Sequence, residues 1–93
     1  SSLTLLLLII ETMKEYLFNK MIITSEGVYI NKLFFATKEI KSFDFGNNKK
    51  HGNITRYYIP NLPKGNYIDY VIREEDKEKI KSLLLELKIK KVK

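Results

Sequence analysis

From Lys20 onward the hydrophobic pattern has a period of two and is cut at short intervals by turn formers, which restricts residues 20–72 to short antiparallel strands. Met21-Ile22-Ile23-Thr24 leads into Ser25-Glu26-Gly27, and Val28-Tyr29-Ile30 follows. That order predicts a hairpin with Gly27 in the left-handed position that ends a three-residue loop. Asn31-Lys32 is a second, two-residue turn into Leu33-Phe34-Phe35-Ala36, because Asn tolerates positive φ. Thr37-Lys38-Glu39 interrupts the meander, Ile40 is an apolar plug, and the alternation resumes with Phe43 and Phe45 on one face. Residues 46–53, GNNKKHGN, read as a polar turn region. Strands follow over Ile54–Ile59 and Tyr67–Arg73, joined by a connection carrying both prolines, Pro60 and Pro63, and Gly65. The pattern thus predicts six strands.

Helical signals flank this region. Residues 3–19 lack Gly and Pro, and Leu5, Leu6, Ile9, Ile10, Met13, Tyr16 and Leu17 share one arc of a wheel. The expectation is an N-terminal amphipathic helix over residues 1–19, with Leu7, Leu8 and Phe18 turned toward its polar side. Two readings of it stay open: a core helix with a second contact face, or the end of a membrane-spanning helix whose beginning precedes Ser1. The apolar run from Leu5 to Ile10 falls far short of the ~20 residues that cross a bilayer, so this chain alone provides no span. Residues 74–90 read as a second helix. Glu74, Glu75 and Asp76 sit in its first turn, lysines fill its last, and Ile80, Leu83, Leu84 and Leu87 make one stripe. Leu85, Ile89 and Val92 fall on nearly the opposite side and call for a partner: the N-terminal helix first, by packing within the chain, or else another subunit or a lipid surface.

Composition narrows the chemistry. The chain has 93 residues, which suits one hydrophobic core, and no cysteine, which removes disulfides, thiolate metal sites and a cysteine nucleophile. His51, the only histidine, lies in a turn between Lys50 and Gly52 with no carboxylate or serine placed beside it by the sequence. Glu26, Glu39, Asp44 and Asp69 are scattered, and the glycines build no phosphate-binding loop. The expectation is a protein that is not an enzyme, without metal, cofactor or small-molecule substrate. Seventeen Lys and Arg against eleven Asp and Glu give a net charge of +6, which favours an anionic partner without naming one. Aromatics on strands among Lys32, Lys38, Lys41, Lys49, Lys50 and Arg56 are compatible with stacking on single-stranded nucleic acid, but a small all-strand core also needs large rings to fill it. The interior is the expected place of those rings, and nucleic acid is the secondary reading.

Short antiparallel strands closed by one C-terminal amphipathic helix follow the order of a pleckstrin-homology-like (PH-like) barrel. The stretch MIITSEGVYINKLFFATKEIKSFDF, with YYIPNLPKG and EEDKEKIKSLLLEL after it, resembles bacterial PH-like domains of the YcxB-like and related uncharacterised groups over residues 20–88. The first hairpin carries Ser25, Glu26 and Gly27 where phosphoinositide-binding relatives carry a basic cluster, so the resemblance implies no such site here. It implies an α+β fold: a curved antiparallel sheet or partly open barrel, capped by a helix and occupying residues 20–93. It also implies a non-enzymatic interaction module that binds a protein partner or a second copy, at the cytoplasmic face of a bacterial membrane if a membrane segment precedes Ser1 and in the cytoplasm otherwise, with an anionic membrane surface as a further contact. Leu85, Ile89, Val92, Lys49, Lys50, Leu7 and Leu8 are the expected contact residues.

Overall fold

The computed structural model describes residues 8–11, as backbone, and 20–92. The architecture is α+β. Strands β1 (Leu8–Glu11), β2 (Lys20–Thr24), β3 (Gly27–Ile30) and β4 (Leu33–Ala36) form one antiparallel meander. A 3-10 turn at Thr37–Glu39 leads to β5 (Ser42–Asn48), β6 (Gly52–Tyr58) and β7 (Tyr67–Val71), a second antiparallel meander. Helix α1 (Lys77–Glu86) follows a 3-10 turn at Glu74–Asp76, and β8 (Lys90–Lys91) then pairs in parallel with β5. No strand ladder joins the two sheets among the described residues, so they do not close into one barrel.

All six expected strands are present, with β1 and β8 in addition. Strand β1 corrects the expected N-terminal helix where the two overlap: Leu8–Glu11 pairs with β2 in the register Leu8↔Ile23 to Glu11↔Lys20. Two β-branched residues in four favour the pleat over the helix, and without β1 the outer edge of β2 would present unpaired backbone groups. The rest of that expected helix lies outside the described residues.

The turns show which local signals held. Asn31 and Lys32 adopt φ of 50° and 80°, the two-residue hairpin turn expected there. Gly27, by contrast, has no positive φ; it is the first residue of β3. Thr24 closes that turn instead, its Oγ1 accepting the amides of Glu26 (3.1 Å) and Gly27 (3.2 Å). The polar stretch 46–53 is mostly strand: β5 and β6 continue to the pair Asn48↔Gly52, and the turn shrinks to three residues. Asn48 Oδ1 accepts the amides of Lys50 (2.7 Å) and His51 (3.1 Å), and Gly52 takes φ of 84°, so local side-chain chemistry replaces a longer loop.

The C-terminal helix ends four residues before its expected limit. Lys88 turns left-handed at φ 68°, its amide donates to Leu85 O (2.8 Å), and the Ile89 amide donates to Leu84 O (3.1 Å). This is a Schellman stop, which brings the residue after the turn back against the helix it ends. Ile89 is therefore 2% exposed and packs in the core, not on the outward face expected of it. The stripe Ile80, Leu83, Leu84 and Leu87 faces the core as its spacing predicts.

Met21, Ile23, Val28 and Ile30 from the first sheet meet Phe43, Tyr57 and Tyr70 from the second, with Ile80 and Leu84 closing the stack. Tyr57 crosses between the sheets: its hydroxyl donates to Met21 Sδ at 2.8 Å. Burial raises the Tyr57 pKa far above that of a free phenol, since a phenolate there would lose its hydration, and neighbouring Tyr70 adds to the rise. Thr55 is also fully buried, and its hydroxyl has no hydrogen-bond partner.

Two measurements follow from this core. Thr55→Val, which keeps the shape and removes an unsatisfied hydroxyl, is expected to raise unfolding free energy by about 1 kcal/mol, read as a higher urea midpoint at unchanged m. For Tyr57 the folded pKa lies above the unfolded value near 10, so its contribution is complete below about pH 10 and is lost as pH rises beyond it. The stability difference between wild type and Tyr57→Phe should accordingly shift against wild type by about 1.4 kcal/mol per pH unit above about pH 10.

Candidate interaction surfaces

The first sheet buries alternate residues and leaves the others facing outward. In β3, Val28 and Ile30 are buried and Tyr29 between them is 42% exposed. The cross-strand register places Ile22 opposite Tyr29 and Tyr29 opposite Phe34, and Ile9 holds the position opposite Ile22. An apolar row thus crosses the outer face. The two-residue turn at Asn31-Lys32 makes Ile30↔Leu33 the first pair of the hairpin and Tyr29↔Phe34 the second. The second pair of such a hairpin is of the non-hydrogen-bonded kind, in which side chains stand closest. Their ring centroids are 4.7 Å apart at 51°. Leu33, at the mouth of the turn, is 56% exposed.

Gly27 is required by this arrangement for a reason other than backbone freedom. A Cβ on it would collide with the Phe35 carbonyl and lie 2.8 Å from the tip of the Phe34 ring. Phe34 thus covers the bare backbone of Gly27, as aromatic residues do beside glycines in sheets. On the outer edge of β4 the Ala36 amide donates to Glu39 Oε1 (2.9 Å), while the Thr37 amide, donating to Glu26 O (3.1 Å), extends the β3–β4 ladder by one rung. Both ends of the face carry charges of both signs. Lys20, with Glu11 opposite it in the β1–β2 register, and the turn residue Lys32 lie at one end, where the Asn31 amide donates to Lys20 O (2.9 Å). Exposed Glu26 and Glu39 lie at the other, with Lys38 between them in sequence.

The outer face of the second sheet is built differently. The register aligns Asp44, Arg56 and Asp69 across β5, β6 and β7. Arg56 makes a two-pronged contact with Asp69, Nε to Oδ1 at 2.7 Å and Nη2 to Oδ2 at 2.9 Å. That hydrogen-bonded pairing outweighs partial desolvation and raises the Arg56 pKa above its ordinary value. The guanidinium also lies 3.8 Å from the Tyr67 ring centroid, and Tyr67 meets Tyr58 edge-on at 6.3 Å. Lys91 approaches Asp44 at 3.4 Å, so the row reads plus, minus, plus, minus across four strands. Beside it an open cleft of about 430 Å³ is lined by Lys41, Ser42, Tyr58, Pro60, Asn66 and Val92.

The expected contact residues are not brought together. Leu85 is 45% and Val92 37% exposed, but Ile89 between them in sequence is in the core. Lys49 and Lys50 are exposed at the tip of the β5–β6 hairpin, next to His51. Leu8 belongs to β1, while its side chain, like Leu7, lies outside the described residues. Among the described residues no group of three His, Cys, Asp or Glu is arranged to hold a metal. The rings divide: Phe43, Tyr57 and Tyr70 fill the interior as expected, whereas Tyr29, Phe34 and Tyr67 stand outside. Alternation around Tyr29 and the two-residue turn were the signals for the outer pair, and both were visible in the sequence.

Truncating Tyr29 and Phe34 separately and together to Ala should reveal a coupling of about 1 kcal/mol in a double-mutant cycle by urea unfolding, despite the exposure of both rings. The chain matches no protein-family model, and neither a curated protein nor a solved structure is significantly similar to it.

Proposed function

We propose that this chain is a non-enzymatic interaction module of PH-like type, working at the cytoplasmic face of a bacterial membrane and holding a protein partner or a second copy of itself. The observation that carries the reading is the outer-face row of half-buried Ile22 and exposed Tyr29 and Phe34, beside exposed Leu33. Contiguous apolar side chains on an otherwise polar surface mark contact sites. The PH-like part of the reading draws on the order of elements. With β1 included, seven strands precede the helix, the number of a full PH barrel, where the sequence alone suggested six. The basic balance of +6 suits a place beside an anionic bilayer, and no helix among the described residues is long and apolar enough to cross one.

The nucleic-acid reading has one observation in its favour, the Tyr58–Tyr67 pair with Arg56 on the outer face of the second sheet. Against it, Asp69 neutralises Arg56 and Asp44 faces Lys91, so a phosphate backbone laid there would meet two carboxylates.

Titration with single-stranded DNA and RNA at two salt concentrations decides between the two. The interaction module should show no saturable binding; micromolar affinity that falls steeply with salt would install the nucleic-acid reading instead. The membrane placement is tested by fractionating cells that make the natural protein, which should sediment with membranes; recovery in the soluble fraction would refute it.

A further inference from the structure

The start of β5, the connection between β6 and β7, and the tail behind α1 meet at one end of the second sheet, and the cleft of about 430 Å³ lies where they meet. We infer that this cleft binds a small organic acid as its anion, with the charged group on Lys41 and the apolar body against Tyr58, Pro60 and Val92. The inference does not depend on the partner proposed for the first sheet and adds a ligand to the second.

Three backbone contacts build the walls. The Lys41 amide donates to Tyr58 O (2.8 Å), which fixes the start of β5 beside the end of β6. The Ile59 amide donates to Asn66 O (3.0 Å), so the ladder continues one pair beyond Tyr58↔Tyr67 and residues 60–65 are gathered into a loop, with Gly65 left-handed at φ 76°. Pro60 opens that loop and Asn66 follows it, which brings both to the same end of the sheet. The last wall comes from far along the chain: the Val92 amide on Phe43 O (2.8 Å) holds the tail alongside β5, and Val92 stays 37% exposed. An apolar side chain left in water beside a proline and a phenol ring gives a hydrocarbon body a surface to cover.

Charge decides what the polar part takes. Lys41 is the one charged residue among those lining the cleft, and Ser42, Tyr58 and Asn66 each bring a group able to donate a hydrogen bond. Lys41 is exposed and has no ion pair among the described residues; nor have Lys64 in the loop and Lys90, which stands opposite Ser42 in the β5–β8 register. Carboxylates near in sequence are engaged elsewhere. Asp44 and Asp69, each two residues further along its strand, are held by Lys91 and Arg56, and Glu39 opens on a different recess with Phe34 and Leu62. An unpaired ammonium at the rim of a partly apolar recess attracts an anion, and the hydroxyl and amide donors around it complete the anion's shell. A nucleic-acid backbone needs a continuous track and meets the two aspartates of the next row, whereas a small acid fills the recess without reaching them.

Titration of the nitrogen-labelled chain, followed in amide correlation spectra, tests the inference with benzoate, phenyl phosphate, benzyl alcohol and inorganic phosphate as probes. At least one of the two organic anions should bind saturably with a Kd on the order of 1 mM, shifting the amides of Lys41, Ser42, Tyr58, Asn66 and Val92 together. Benzyl alcohol and inorganic phosphate should each bind at least roughly tenfold more weakly. Lys41→Gln should weaken the organic anion by at least roughly fivefold. Lys50→Gln, which removes the same charge at the tip of the β5–β6 hairpin, should leave it unchanged, with thermal melts to show that both variants fold. Saturable shifts from neither organic anion overturn the inference, as do shifts that Lys41→Gln and Lys50→Gln reduce alike. Equal binding of benzyl alcohol removes the role of Lys41, and equal binding of inorganic phosphate removes that of the apolar wall; either result overturns it too.

Discussion

Among the described residues no backbone ladder joins the two sheets, so side-chain packing is what holds one against the other. The central contact is Tyr57 reaching from β6 to the sulfur of Met21 on β2, inside a layer closed by Ile80 and Leu84 of α1. A thioether is a weak acceptor, and a buried phenol with a poor partner has little latitude in where it points. Ring packing and the soft sulfur together set the spacing of the sheets, and both outer faces are positioned by it. Thr55 lies in the same layer with an unmet hydroxyl, so polarity here is tolerated and not organised into a network.

Much of the strand pattern could be read from the sequence, because period two and turn residues are local properties. Asn31-Lys32 gave its turn through an intrinsic tolerance of positive φ, and Ile40 its burial, 4% exposed, through isolation among polar neighbours. The misreadings share a different cause. Leu8–Glu11 sits in an apolar run with no clear period, where helix and buried strand look alike and only the pairing with β2 separates them. Gly27 looks like a turn glycine along the chain, whereas its role comes from a ring and a carbonyl on the neighbouring strand. A helical wheel carried to Ile89 points it outward, because the stop before it has no glycine to announce it: Lys88 makes the left-handed turn.

The candidate surface was legible in its parts but not in its assembly. Each of Ile22, Tyr29 and Phe34 sits at an ordinary alternating position, and nothing in one strand shows that three strands align them. Register does so, and register was fixed by the two-residue turn and by Thr24 closing the other one. On the second sheet the same kind of register aligns charges, Asp44, Arg56 and Asp69, instead of rings. The molecule therefore presents one greasy and one zwitterionic broad side, although its total charge is strongly positive.

The left-handed turn at Lys88 also decides how the chain finishes. By reversing direction there, it sends Lys90 and Lys91 alongside Ser42 and Phe43, and the Val92 amide onto Phe43 O at 2.8 Å. The stretch after the helix is thus a selvedge, a woven margin that keeps the second sheet from fraying along β5. Clipping the chain behind Glu86 would withdraw Ile89 from the interior and bare that margin in one cut, so the tail that looks most dispensable by position is a hem that the fabric needs.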